Sequence, residues 1–316
     1  MHKDCLPEIT AYQDPAFFLS ILKGEEGYER LLYSSFINFT WIPDAEYKLN
    51  IDFDPFELYK NYELETLNII QGWELLSPND PYNFMVNFII RKLQQGYLIT
   101  GRFDEFYISH KCRYNTEHYN GQFYLTDVDT ENKFFAAVGT DINKPYGEYK
   151  ITFDELTTAI NDSITNVFEK EELTNFISII KSKKVNHVFS LERVYKYIFL
   201  LLNIDTDTAY LHGFDAVEYL LDHFENEHKS EYVTLIYEHA KLMYDRLKYM
   251  ASNPVLSNLL KEADEYKEII DIFDDQGLLS GCDLHITQKK LREIIKKERL
   301  IISKVYDKLG EAINEF

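Results

Sequence analysis

Cysteine is scarce in this sequence: only Cys5, Cys112 and Cys282 occur among 316 residues. Their number is odd, and no two of them have the CxxC spacing of a zinc knuckle or a redox motif. A disulfide framework is therefore not expected, and a reducing cytoplasmic location fits this cysteine content best.

Long apolar runs are also missing. The longest, residues 197–204, is far shorter than the roughly 20 residues that a bilayer-spanning helix needs. The first ten residues, MHKDCLPEIT, contain no apolar core of signal-peptide length. The sequence therefore predicts a cytoplasmic protein without a membrane-inserted segment.

Positive charge is in deficit, with 33 Lys and Arg against 53 Asp and Glu and a formal net charge of −20. Such a charge repels phosphate backbones and anionic lipids, so neither nucleic acid nor a membrane surface is expected as a partner. The nearest candidate for a local basic patch, KKLREIIKKERLIISK at residues 289–304, alternates with apolar residues at helical spacing. We interpret it as the solvated face of a helix.

Motifs for metal and cofactor binding are absent as well. There is no HExxH, no glycine-rich phosphate loop and no GxSxG. His223 and His228 are five residues apart, which separates them by roughly 140° around a helix, so they do not share a face. Neither a metal nor a cofactor is predicted.

Apolar and aromatic residues are abundant: 45% of the chain is hydrophobic, and there are 24 Tyr and 22 Phe. The length suits two domains. Residues 1–155 show helices followed by consecutive strands, which predicts an α+β domain with an antiparallel sheet. Residues 156–316 show helical periodicity almost throughout and are predicted as an all-α domain of six or seven helices.

Local signals fix several elements of the first domain. Asp14 followed by Pro15 predicts a helix that runs to residue 22. A second helix begins at Pro81 and ends before Gly96. The alternation over residues 97–108 predicts a strand.

Residues 117–141, EHYNGQFYLTDVDTENKFFAAVGTD, predict a β-hairpin with a histidine before its first strand and a carboxylate at the end of its second. His118 and Asp141 stand in the order found in cysteine-based active sites, where an imidazole is oriented by a carboxylate. Asp127 is an alternative partner for the imidazole. A strand-end histidine bonded to backbone or water remains the structural alternative.

Residues 94–139 resemble the sheet region of proteins similar to butirosin biosynthesis protein H. These are papain-like relatives of the double-glycine leader peptidases, often found beside nonribosomal peptide synthetases. The family pattern is Gly-Tyr, a strand, Asp-x-(Phe/Tyr)-Tyr-Ile, a tyrosine, then His-Phe. The places of this pattern are occupied by Gly96-Tyr97, Asp104-Glu105-Phe106-Tyr107-Ile108, Tyr114 and His118-Tyr119.

The resemblance implies a papain-like domain with a central helix on an antiparallel sheet, and acyl transfer from a carrier-bound thioester to an amine through a cysteine thiolate. The site residues it implies are Cys5, His118 and Asp141, with Cys112 as a weaker candidate nucleophile. The sequence departs from the pattern where a cysteine is expected, because Gln13 and Asp14 stand there.

A second departure is Gly121, which stands where many members have another histidine, followed by Gln122 in place of an aspartate. The alternative is therefore a catalytically degenerate relative that binds a carrier protein, a peptide or a biosynthetic partner. Since carrier domains are acidic, docking requires a basic patch, for which we name Arg91, Lys92 and Lys111.

Three polar residues, Glu238, His239 and Arg246, interrupt an otherwise apolar helical segment at residues 232–251. They are interpreted as a solvated face, with a groove between domains as the alternative. The oligomeric state cannot be predicted from these residues.

Overall fold

The computed structural model describes twelve stretches of the chain, namely residues 7–23, 25–42, 49–51, 62–67, 81–141, 144–162, 177–182, 188–202, 211–223, 229–275, 278–280 and 284–314. The chain forms two compact units. The first unit is Met1–Pro7, Gln13–Gly24 and Pro55–Lys184, and the second is Glu8–Tyr12, Glu25–Asp54 and Val185–Phe316. The two units are thus interleaved along the chain, instead of being divided once near residue 155.

The first unit contains a six-stranded antiparallel sheet with the strand order β3-β8-β4-β5-β6-β7. Its strands are β3 (Tyr62–Leu67), β4 (Leu98–Asp104), β5 (Asn120–Asp129), β6 (Phe134–Asp141), β7 (Lys144–Thr152) and β8 (Ile177–Ser182). Its helices are α1 (Gln13–Leu22), α3 (Pro81–Gln94), α4 (Phe153–Asp162) and a 3-10 turn at Glu105–Tyr107. The hairpin predicted over residues 117–141 and the two helices predicted at Asp14 and Pro81 are confirmed.

One face of this sheet packs against α3 and α4. Ile99 and Phe103 of β4, and Phe123 and Leu125 of β5, are fully buried there. They alternate with residues that point to the other face, as period-2 strands require.

The second unit is mainly helical, with a small antiparallel sheet of order β2-β1-β9. Its strands are β1 (Phe39–Trp41), β2 (Leu49–Ile51) and β9 (Leu211–His212). Its helices are α2 (Tyr28–Ser34), α5 (Leu191–Leu202), α6 (Gly213–Asp222), α7 (Lys229–Ala251), α8 (Leu260–Asp275) and α9 (Leu284–Asn314), with 3-10 turns at Pro254–Leu259 and Leu278–Ser280. The coarse prediction of an α+β fold with antiparallel sheets and a helical C-terminal region is confirmed.

The prediction of helices alone after residue 156 is wrong at two places, β8 and β9. The stretch ISII within β8 is rich in β-branched residues, which suit a buried strand, and β8 lies between β3 and β4 in the first unit's sheet. None of the helices within the described ranges has the length and hydropathy that a bilayer crossing requires.

Three polar residues of α7, Glu238, His239 and Arg246, are buried, which corrects their interpretation as a solvated face. The Glu238 carboxylate accepts hydrogen bonds from the backbone N–H groups of Thr10 and Ala11 at 2.9 and 3.1 Å. The Nε2–H of His239 donates to the carbonyl of Ile37 at 2.8 Å. Side chains of α7 thus satisfy backbone groups of segments that lie far away in the sequence.

Arg246, also on α7, is fully buried and donates to the carbonyl groups at the end of α2. Its Nε donates to Tyr33 at 2.8 Å, and its Nη2 donates to Leu32, Ser35 and Phe36. The Leu32 carbonyl also accepts from the N–H of Ser35 at 3.3 Å, and the guanidinium completes the cap at the end of α2. Burial lowers the pKa of Arg246 to about 9, and electrostatic interactions with Tyr266 and Tyr33 oppose this decrease.

Several basic side chains of α9 form ion pairs within the second unit. Arg292 and Arg299 pair with acidic residues of α6, and Lys297, Lys304 and Lys308 pair with acidic residues of α8. Charges neutralised in this way do not form a basic surface for a polyanion.

Candidate functional site

His118 lies just before β5 at the end of the first unit's sheet, next to the last residue of the neighbouring strand β4. Because β4 and β5 are antiparallel and Asp104 is paired with Asn120, the carboxylate of Asp104 is brought beside the imidazole. The His118 Nδ1 and Asp104 Oδ2 atoms are 2.6 Å apart, the distance of a strong charge-assisted hydrogen bond.

The Asp104 carboxylate is held by the backbone around it. Its side chain is completely buried, and Oδ1 accepts hydrogen bonds from the N–H groups of Phe106 and Tyr119 at 3.0 and 3.1 Å. The first of these bonds caps the 3-10 turn that follows β4. Oδ2 is therefore directed towards His118.

The imidazole of His118 is packed on one side and open to solvent on the other. Phe106 stacks on the His118 ring at 4.3 Å between ring centroids, with 15° between the ring planes. The side chain of His118 is 51% exposed. Since a carboxylate can only accept, Nδ1–H is the donor to Asp104, and Nε2 is at the opposite edge of the ring. The hydrogen bond to Asp104 raises the pKa of His118, and partial desolvation opposes this.

A second carboxylate, from Asp162 at the C-terminal end of α4, reaches the same edge of the ring. Its Oδ2 is 3.5 Å from His118 Nδ1. Burial raises the pKa of Tyr107, and the charges of Asp162 and Asp104 and the interaction of its hydroxyl with Asp162 add to this. The potential ligand atoms of Asp104, His118 and Asp162 all lie within 4.8 Å of one another.

The predicted partner of His118 is placed only by its backbone. Asp141 ends β6, where it pairs with Lys144 of β7, but its side chain lies outside the described residues. The predicted contact between His118 and Asp141 therefore stays a prediction. Asp127 is exposed, and its carboxylate accepts a hydrogen bond from the N–H of Val128.

The thiols are not brought to His118 by any described contact. Cys5 and Cys282 lie outside the described residues, so the role of Cys5 as nucleophile stays a prediction. Cys112 is a free, exposed thiol in the loop between the 3-10 turn and β5.

The helix that was expected to face His118, α1, packs on the face of the sheet opposite to α3 and α4. Tyr124 of β5 points away from the cluster shared by its neighbours Phe123 and Leu125. Phe17 of α1 stacks on Tyr124 at 4.0 Å between ring centroids. α1 therefore covers the face opposite to α3 and α4.

His118 meets the C-terminal end of α4 through Asp162, whose Oδ2 lies 3.5 Å from its Nδ1. The family resemblance expects a cysteine at the start of α1, where Gln13 and Asp14 stand. The side chains of these two residues lie outside the described ones, so their predicted approach to His118 stays a prediction.

The presence of glycine at position 121 has a structural reason in this chain. A Cβ atom there would lie 2.2 Å from Oε1 of Glu105, so the space of a side chain is occupied by that carboxylate. Glu105 also lies 3.6 Å from the ammonium group of Lys111, which is only 2% exposed and contacts the ring of Phe123. Burial removes Lys111 from the set of docking residues named from the sequence.

Asp104 and Asp162 were missed as partners of His118. Asp104 and Tyr107 belong to the Asp-x-Phe-Tyr-Ile motif that carries the resemblance, so that motif contained half of the site. Asp162 has no comparable local signal, because it meets His118 only through the packing of α4 on the sheet.

A scan against protein-family models matches none of them, and a search of curated proteins finds no similar sequence.

Proposed function

We propose that the first unit is a degenerate papain-like domain, without cysteine catalysis, that binds an acidic carrier protein of a peptide natural-product pathway. The pathway and the carrier are what the sequence resemblance implies. A helix packed on an antiparallel sheet supports the papain-like class. The residues at the start of α1 carry the degenerate part of the proposal: Gln13 and Asp14 stand where the resemblance expects the cysteine, and a papain-like thiolate must lie beside its imidazole.

All three thiols are therefore expected to react slowly with iodoacetamide at pH 7. A helix N-terminus and a neighbouring imidazole lower a thiol pKa to roughly 3.5–7.5, whereas an isolated thiol keeps a value of about 8.5. The measurement is a time course of alkylation mapped to each cysteine by mass spectrometry, on the wild type and on His118→Ala. We expect the rates at Cys5, Cys112 and Cys282 to be unchanged by the substitution.

The acyl-transfer alternative predicts the opposite result in the alkylation experiment. If Cys5 is the nucleophile and His118 its base, Cys5 is alkylated rapidly below pH 7, and the rapid phase disappears in His118→Ala. That result would overturn the degenerate proposal and establish an enzyme. Thermal unfolding of the variant serves as the control for a change in its fold.

A small basic and aromatic surface at the end of α3 is the docking face that we propose. The ammonium groups of Lys92 and Lys181 lie 4.9 and 5.1 Å from the ring centroid of Tyr97, so two positive charges share one ring. Arg91 is exposed beside them in the last turn of α3. In a chain of net charge −20, such a cluster orients an acidic partner by charge complementarity.

Reversing the charges of this docking face is expected to weaken carrier binding at least tenfold. Each exposed pair contributes up to about 1 kcal/mol, and a reversal replaces attraction by repulsion. The measurement is fluorescence anisotropy of a phosphopantetheinylated acyl carrier protein against the wild type and Lys92→Glu/Lys181→Glu. Wild-type affinity should fall as NaCl is raised from about 50 to about 300 mM, since salt screens exposed charges.

The matched control is Lys289→Glu/Lys296→Glu, which makes the same charge change at exposed positions of α9 in the second unit. We expect it to bind the carrier as the wild type does at moderate salt. Equal loss of affinity in both double variants would show that net charge alone governs binding, and would contradict the proposed face.

A further inference from the structure

The carboxylates of Asp104 and Asp162 converge on one nitrogen of His118 from two separate elements of the first unit. Asp104 ends β4, Asp162 ends α4, and their Oδ2 atoms lie 2.6 and 3.5 Å from Nδ1. Two carboxylates so close repel each other unless a positive charge lies between them. An imidazolium, protonated on both nitrogens, supplies one such charge, and a divalent cation supplies two.

We propose that Asp104, His118 and Asp162 form a binding site for a divalent transition-metal ion, with Zn²⁺ the best-fitting one. The inference goes beyond the proposed carrier binding and does not depend on it. A mixed imidazole and carboxylate set suits Zn²⁺ better than Mg²⁺, because Mg²⁺ prefers oxygen ligands and retains its water.

The spacing of the three ligand atoms agrees with this ion. Zn–N and Zn–O bonds of 2.0–2.2 Å in a tetrahedral centre separate neighbouring ligand atoms by about 3.3 Å. The two distances from Nδ1, 2.6 and 3.5 Å, lie on either side of this value, and all three atoms are within 4.8 Å of one another. Binding exchanges the Nδ1 proton, which leaves to solvent, for the metal ion, and small rotations of the carboxylates complete the set.

Neighbouring groups orient the three proposed ligands, as the residues around the ligands of a metal site do. The backbone N–H groups of Phe106 and Tyr119 hold Oδ1 of Asp104, which leaves Oδ2 for the ion. The Tyr107 hydroxyl interacts with Asp162, and Phe106 stacks on the His118 ring. Such outer contacts orient ligands and typically change metal affinity 10–100-fold when removed. The 51% exposure of His118 leaves the ion a path from solvent and an open position for water.

Isothermal titration of the chelator-treated full chain with ZnCl₂ tests the site. We expect one ion per chain for the wild type and a loss of affinity of at least tenfold in Asp162→Asn. His118→Ala should abolish this binding, and Tyr107→Phe should weaken it roughly tenfold through the outer contact. In the Co²⁺-loaded protein, visible absorption bands that disappear in His118→Ala would report the same site directly.

Two matched variants separate this site from weak binding elsewhere. Asp127→Asn removes an exposed carboxylate of the same unit, and His223→Ala removes an exposed imidazole of the other unit. Both should bind Zn²⁺ as the wild type does. Absence of binding in the folded wild type, or an affinity unchanged by Asp162→Asn and His118→Ala, overturns the proposal, whatever the outcome of the carrier experiment.

Discussion

Arg246→Ala is expected to destabilise the second unit by about 3–5 kcal/mol, the largest loss that we expect from one side chain. The substitution leaves the carbonyl groups at the end of α2 buried without their donor. Each unsatisfied buried group costs about 1–3 kcal/mol, and the lost side chain also leaves a cavity. Thermal unfolding followed by calorimetry measures the effect as a lower transition temperature of that unit.

Two comparison variants make the Arg246 result specific. Arg246→Lys keeps the charge but cannot donate to several carbonyls in a planar fork, so an intermediate loss is expected. Lys248→Ala, at an exposed position of the same helix, should change stability by less than about 0.5 kcal/mol. If Arg246→Ala were no worse than Lys248→Ala, the capping of α2 by the guanidinium would be refuted.

Gly213→Ala is expected to cost about 3 kcal/mol or more. Gly213 has φ +63°, a left-handed conformation that costs an ordinary residue about 1–2 kcal/mol. A Cβ atom there would also lie 2.4 Å from the backbone carbonyl oxygen of Leu201, which cannot rotate away as a side chain does. The end of α5 must therefore shift, at a further cost of about 1–3 kcal/mol.

Gly96→Ala separates the two contributions. Gly96 has φ +79°, but a Cβ atom there would meet no atom within 4 Å. Only the backbone strain remains, so a loss of about 1 kcal/mol is expected. Calorimetry of both variants should show a clearly larger drop for Gly213→Ala. Equal drops would mean that the close approach to Leu201 contributes nothing.

Local signals predicted the helices whose ends are marked by proline or glycine residues in the sequence. Pro15, Pro81 and Gly96 mark helix ends, and each helix forms where these residues place it. The hairpin of residues 117–141 was predicted because the alternation of its strands and its polar turn are both local. Backbone preferences within a few residues decide such elements.

The remaining features depend on contacts between distant segments. β8 was missed because its place between β3 and β4 is set by pairing across the sheet. The solvated-face interpretation of Glu238 and Arg246 failed because their partners are backbone groups of the N-terminal fifth of the chain. Asp162 joins the site of His118 by the packing of α4. Each of these contacts joins residues that are far apart in the sequence, and no pattern among neighbouring residues indicates it.

The interleaving of the two units has a consequence for the order of events during protein synthesis. Residues 25–54 belong to the second unit, yet α7 begins at Lys229, about 175 residues later. At 5–20 residues per second, the nascent chain waits roughly 10–35 s before α7 can cover Ile37 and Phe39. Both are completely buried in the finished fold. The early segments therefore stay exposed while the first unit is completed, so a ribosome-bound chain halted near Lys184 is the form most in need of a chaperone.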